Sequence, residues 1–490
     1  MITLNTLRNN RWMISSKMRV TRPSLLKFSI WVALFTAIIP YPFPFALGQA
    51  TVMSSDVASV FLYLYLFFGL LKSNVTYKFS RTTITFFTLL GCWLLWISFT
   101  YIILPDRMGL SLVARIFKKS WIFLPYAIIG YRIGWGSFNI RKYFITTLLV
   151  FTSIISVIAI VQCVSGGQLL SGHYTNQRFL GFLTPLPEAR YDYRNLGTLT
   201  LEDTKALRTA GADSEFVTSF LFRAHGPFEE SNLLTAFTVP IVCLILGMLV
   251  KRPKFQRRQR LTIYFLITLL GMIVSFGITG YGALIVVCLY LFGISPIFFV
   301  RWLTKPIILL LVFVTIMAAG IILVPALFNS QKVVDSRLIR IIRPLESDAL
   351  NGRVRLINAA IAEIQSSPWV GTRSIQQEED IAKQETMTIY INMAETSGVV
   401  AQLLFLAILI KFLRASWHVY HKGVESEDRS IGLGVHLFFI SLLILEFFYN
   451  WIVFEGIAYI SFMLGAMCVA MSAQARAKSR TISLLNQNSF

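Results

Sequence analysis

The chain has 490 residues, of which 55% are hydrophobic, 14% aromatic and only 14% charged. With a mean hydropathy of +0.65, this is a balance that excludes a water-soluble globular domain of such length. The formal net charge of +21 resembles a nucleic-acid-binding signal, but most of the excess flanks apolar runs, where anionic headgroups and membrane orientation account for it. No nucleic acid is expected as a partner; the expected surroundings are a lipid bilayer.

The pattern predicts an all-α polytopic membrane protein with about twelve transmembrane helices. Each predicted span has roughly 18 to 22 apolar residues, enough to cross about 30 Å of hydrocarbon as a helix that satisfies its own backbone. In chain order they fall near 25–46, 56–72, 83–104, 118–135, 144–165, 231–250, 261–279, 281–300, 305–327, 397–414, 431–449 and 451–472. Residues 1–24 read as a basic cytoplasmic arm, or as a start placed upstream of Met18. Residues 25–472 form a single transmembrane domain and 473–490 a cytoplasmic tail. No cleavable signal is expected, because the first apolar run is long and no small-residue site follows it.

Lys and Arg in short loops set the orientation. The basic first segment stays inside, and KSNVTYKFSR, YRIGWGSFNIRK, KRPKFQRRQR, VRWLTK and ARAKSR fall on the same side, so both termini are cytoplasmic. Alternation then puts two long segments outside, about 166–231 and 328–396, where both charge signs are mixed. The segment PDRMGLSLVARIFKK also lands outside although it is basic. Either the fourth span is misplaced or Arg107, Arg115, Lys118 and Lys119 meet something anionic. The five cysteines, Cys92, Cys163, Cys243, Cys288 and Cys468, all lie in apolar runs and read as small hydrophobes.

Soluble-enzyme motifs are missing: the sequence has no Walker loop, dinucleotide glycine fingerprint, HExxH, CxxC pair or G-x-S-x-G. The acidic D-x-D pair that holds a divalent metal on a nucleotide sugar is missing as well, so neither a metal site nor a cofactor is expected. The chemistry concentrates in the outer segments. At the end of the first, RAHGPFEESN sets Arg223 and a Gly226-Pro227 turn before a span that Glu229, Glu230, Ser231 or Asn232 caps. An arginine beside a helix N-terminus is a ready anion site. In the second, NGRVRLINAAIAEIQSSPWVG heads an amphipathic helix with Arg353 and Arg355, its apolar face formed by Leu356, Ile357, Ala360, Ile361 and Ile364, ending at Pro368. INMAETSGVV follows, with Glu395 either capping the next span or supplying a carboxylate.

These residues resemble the O-antigen polymerase and ligase superfamily of bacterial inner-membrane glycan enzymes. Arg223, Gly226, Phe228 and Asn232 are similar to its Arg-Gly-Phe-Asn pattern before a span. Arg353 with Pro368 and Gly371 is similar to its Arg followed by P-x-x-G, and Ala394, Glu395 and Gly398 to its Ala-Glu-Gly opening of a late span. Two departures separate the chain from the ligase branch. Tyr281 stands where that branch has an arginine, and Thr386 and Met387 stand where it has a His-Asn pair.

The resemblance implies a glycosyltransferase on the periplasmic face of the inner membrane that polymerises oligosaccharide repeat units carried on polyprenyl diphosphate. Ligase-type transfer of the glycan to another acceptor is the alternative, and a flippase or transporter the rival from another class. Most predicted spans lack the central charge a transporter uses. Arg223 and Arg353, with Arg355 as alternate, are the candidate diphosphate ligands, since arginine forks match phosphate oxygens. Glu229, Glu230, His225 and Glu395 are the candidate bases, and Asn232 and Tyr281 further substrate contacts. The implied partners are the lipid-linked oligosaccharide, a chain-length regulator and a flippase.

Overall fold

A computed structural model of the chain describes residues 23–38, 42–47, 50–71, 80–103, 110–164, 231–251, 258–275, 278–296, 357–358, 360–371, 389–446 and 455–487. The span predicted at 305–327 and most of both predicted outer segments lie outside the described residues. Among those described, six helices are long and apolar enough to cross a membrane, with four shorter apolar helices beside them. The architecture is that of an all-α membrane protein with one small exception.

That exception follows the first helix. α1 runs Pro23–Ile38, opened by a proline whose missing N–H costs nothing at that position. The first span, expected to reach residue 46, stops short because Pro40, Pro42 and Pro44 each disfavour helix at the preceding residue. The chain instead pairs β1 (Pro42–Leu47) with β2 (Ala50–Met53) as an antiparallel hairpin, Leu47 opposite Ala50. α2 (Ser54–Leu71) and α3 (Arg81–Ile103) follow close to their predicted places.

The fourth span differs more. α4 (Leu110–Ile116) leads through a π-helical turn, Phe117–Trp121, into α5 (Phe123–Trp135), so helix begins well before the expected residue 118. Leu112, Val113 and Ile116 carry the apolar spacing, and Arg115 among them, with Lys118 and Lys119 just beyond, masked it in the sequence. Lys118 lies half-buried in the π turn. α6 (Phe138–Val164), α7 (Ser231–Lys251), α8 (Arg258–Val274) and α9 (Ile278–Ile294) match predicted spans to within several residues. α10 (Ile389–Lys422) begins earlier and ends later than expected, broken at Gly398. α11 (Ser426–Leu445) has Glu427 and Asp428 in its first turn, where the helix dipole favours acids. α12 (Glu455–Gln487) continues through most of the segment expected to be a separate tail.

α7 and α12 are buried along most of their length and form the centre. In a bilayer, helices gain little by hiding apolar surface from lipid, so association depends on close fit. Glycines supply it. A Cβ on Gly247 of α7 would lie 2.7 Å from the Gly434 Cα of α11, and one on Gly134 of α5 would lie 2.6 Å from the Ala470 Cβ of α12. Trp93 of α3 packs on Phe123, Phe405 and Phe462 at centroid distances of 5.7, 5.7 and 5.8 Å, tying α3, α5, α10 and α12 together. Outward-facing apolar side chains such as Leu95, Ile102, Ile154 and Leu289 are exposed at the periphery, as a lipid-facing surface requires.

Polar contacts sort the helix ends. At one end, the Arg141 Nε of α6 meets Asp428 Oδ1 of α11 at 3.0 Å, both side chains buried. The same guanidinium donates to the Gly134 and Gly136 carbonyls at 3.2 and 2.8 Å. Ser430 donates to the Met248 carbonyl at 3.2 Å, Gln474 to the Trp135 carbonyl at 3.1 Å, and Lys251 lies 4.8 Å from the Tyr420 ring. The ends of α5, α7, α10 and α12 and the starts of α6 and α11 therefore share one face. It follows that α7 and α10 both begin on the opposite face, where Thr235 and Ser275 bond at 2.7 Å beside the α8–α9 turn.

Candidate functional site

The site is built around a break in α10. Its first residues are helical, but Gly398 has φ 81° and ψ 163°, a region essentially closed to residues with a side chain. The break interrupts the helical ladder and leaves backbone groups to be satisfied from elsewhere. Two of them are. The Trp96 indole of α3 donates to the Ser397 carbonyl at 3.1 Å, and the Val399 N–H donates to the Pro368 carbonyl at 2.8 Å.

Pro368 belongs to the other half of the arrangement. A short surface helix covers 357–358 and 360–366, with Ala360 buried and Ile361 exposed. It ends in a turn where the Gly371 N–H returns to the Ser367 carbonyl at 3.0 Å. Gly371 also has positive φ, 78°. The two glycines face each other's segments. A Cβ on Gly398 would strike the Trp369 carbonyl, and one on Gly371 would strike the Glu395 carbonyl and come within 2.8 Å of the Ser397 nitrogen. Only two backbones without side chains at these points approach so closely.

Pro368–Gly371 and Ala394–Gly398, separate motifs in the sequence, are thus in direct backbone contact. Glu395, whose backbone carbonyl a Cβ on Gly371 would meet, is itself only 3% exposed and lies in the helical stretch just before the break. Trp369 projects outward at 69% exposure, the position of an aromatic anchor at a membrane–water interface.

Other candidates are less fully placed. Arg223, His225, Glu229, Glu230, Arg353 and Arg355 lie outside the described residues, as does the side chain of Asn232, although Asn232 itself stands in the first turn of α7. Tyr281 is in the first turn of α9, where its hydroxyl donates to the Ile273 carbonyl at 2.9 Å and holds the α8–α9 turn. α7, α9 and α10 all start on the face that carries the Gly398 break.

Sequence reasoning missed Trp96, whose only signal was an indole in an apolar run. It also missed Gln402, which is buried at 6% exposure one turn beyond the break. No group of His, Cys, Asp or Glu among the described residues is arranged to hold a metal ion. No protein-family model matches the chain, and no curated protein matches it.

Proposed function

We propose that the protein extends a glycan on the outer face of the membrane, joining oligosaccharide units carried on polyprenyl diphosphate. The observation that carries this reading is the seating of the Pro368–Gly371 turn in the α10 break, which holds a buried carboxylate, Glu395, beside the segment that Arg353 and Arg355 precede in sequence. A long polyprenyl chain stays in the bilayer while its sugars project at the surface, so the chemistry belongs at helix ends and not at mid-membrane.

The reaction needs two things from the protein. The acceptor hydroxyl must lose its proton as its oxygen forms a bond to the anomeric carbon. The bond from that carbon to the diphosphate then breaks, and polyprenyl diphosphate leaves with the electron pair. Glu395 takes the proton in this scheme, with Glu229, Glu230 and His225 as the alternatives from the first outer segment. Arg223 and Arg353, with Arg355 as alternate, neutralise the departing diphosphate through charge-assisted forks. The diphosphate is already an activated leaving group, so no nucleotide is required.

The test is deletion of the gene and complementation with wild type, Glu395→Gln or Arg223→Ala, resolving lipid-linked and surface glycans by size. Losing a positioned base costs about 10²–10⁴-fold in rate and losing a charge-stabilising donor about 10²–10³-fold. Single repeat units should persist while long chains vanish in the deletion and both variants. Long chains accumulating on the polyprenyl lipid would replace polymerisation by ligation, and an unchanged glycan profile would overturn both.

A further inference from the structure

On the face opposite the Gly398 break, α10 carries Lys411, Arg414 and His418 at spacings of 3 and 4 residues, which places them along one side of the helix. Arg476 of α12 joins them from across the groove, its Nη1 donating at 3.0 Å to the Thr82 hydroxyl in the first turn of α3. Phe412 of α10 packs on Phe462 of α12 and Phe86 of α3 at centroid distances of 5.9 and 5.5 Å, which holds these three helices together at this end. Three helices therefore converge on three cations, Lys411, Arg414 and Arg476, with His418 one turn further along α10.

Like charges so placed repel one another unless an anion joins them. Among the described residues no carboxylate pairs with Lys411, Arg414 or Arg476; Asp428, at the same end of the bundle, is engaged with Arg141. Arg414 and Arg476 are exposed, and Lys411 and His418 half-buried, so the groove is open.

We propose that this groove between α3, α10 and α12 binds the phosphate of an anionic phospholipid headgroup. What favours a lipid over a soluble anion is the surface that continues from it. Leu403 and Ile410 are 60% and 47% exposed and line up with Arg414 at spacings of 7 and 4 residues, an apolar stripe ending in a cation. Leu403 to Arg414 is 11 residues, about 16 Å of helix, close to the thickness of one leaflet. Gly398 and His418 are 20 residues apart, about 30 Å, so the break and the basic end of α10 sit at opposite membrane surfaces. An acyl chain lies along Leu403 and Ile410 with its phosphate among the arginines. The site is independent of the glycan chemistry at the other face.

The full chain, purified and placed in phosphatidylcholine nanodiscs with a small fraction of spin-labelled phosphatidylglycerol, reports the site directly. The wild type should hold an immobilised lipid population that 1 M salt releases, since screening then acts within about 3 Å. Each neutralised cation should weaken retention about fivefold, so Lys411→Gln/Arg414→Gln/Arg476→Gln loses the population. Lys142→Gln/Arg260→Gln, which removes charge elsewhere, keeps it. Lys411→Arg/Arg414→Lys keeps the charge and must keep the lipid, which guards against a triple variant that folds poorly. The proposal fails if the triple variant retains phosphatidylglycerol as the wild type does, if the Lys142/Arg260 control loses as much, or if millimolar inorganic phosphate displaces the lipid.

Discussion

Replacing Gly398 by alanine tests whether the break in α10 is held by backbone approach. At φ 81° and ψ 163° an alanine is strained by about 1–3 kcal/mol. Its Cβ also meets the Trp369 carbonyl, which is backbone and does not yield by a rotamer change. Relief requires lifting the Pro368–Gly371 turn, and that breaks the 2.8 Å bond from Val399 to Pro368, a further loss of about 0.5–1.5 kcal/mol. The sum is about 1.5–4.5 kcal/mol, which denaturant unfolding of the full chain in detergent resolves. Amide exchange adds the local readout, because the Val399 N–H should lose protection while the α7–α11 core keeps it. Gly91→Ala is the control. Nothing lies within 4 Å of a Cβ there, so the change in a helix interior should stabilise by about 0.5–1 kcal/mol. If Gly398→Ala unfolds like Gly91→Ala and Val399 stays protected, the turn is not seated in the break and the geometry argued for the site is wrong.

Two further outcomes follow from the packing. Arg141→Met leaves the Asp428 carboxylate buried without its cation and should cost about 3–5 kcal/mol, whereas Arg141→Met/Asp428→Leu should recover most of that loss in the same unfolding measurement. Gly434→Leu drives a side chain into the Leu244 carbonyl, 2.6 Å from even a Cβ; it should destabilise by at least about 1–3 kcal/mol and weaken a cysteine cross-link engineered between α7 and α11.

The helices were legible because lipid imposes a strict demand. A backbone in hydrocarbon must bond to itself, so runs of about 20 apolar residues announce themselves, and α3, α6, α7, α11 and much of α12 lie close to where that rule puts them. The rule reads hydropathy and is blind to backbone exceptions. It carried the first span across a proline run that forms a hairpin, and it began the fourth after residues 110–116, which are helical despite Arg115 among them and the lysines that follow. The ion pair of Arg141 with Asp428 joins positions 287 residues apart in sequence, a separation at which neither residue signals the other.

The same division holds at the candidate site. The sequence by itself determined that the chain belongs in a bilayer, roughly where its helices run, and which residue types cluster at their ends, because composition and spacing carry that information locally. Pro368, Gly371, Glu395 and Gly398 were visible one by one. That the two positive-φ glycines bring these segments into a single backbone contact, with Glu395 buried in it and Trp96 satisfying the opened backbone, was decided only by the tertiary structure. Close approach of two backbones depends on where three helices bring them, and no pattern along one chain segment records that distance.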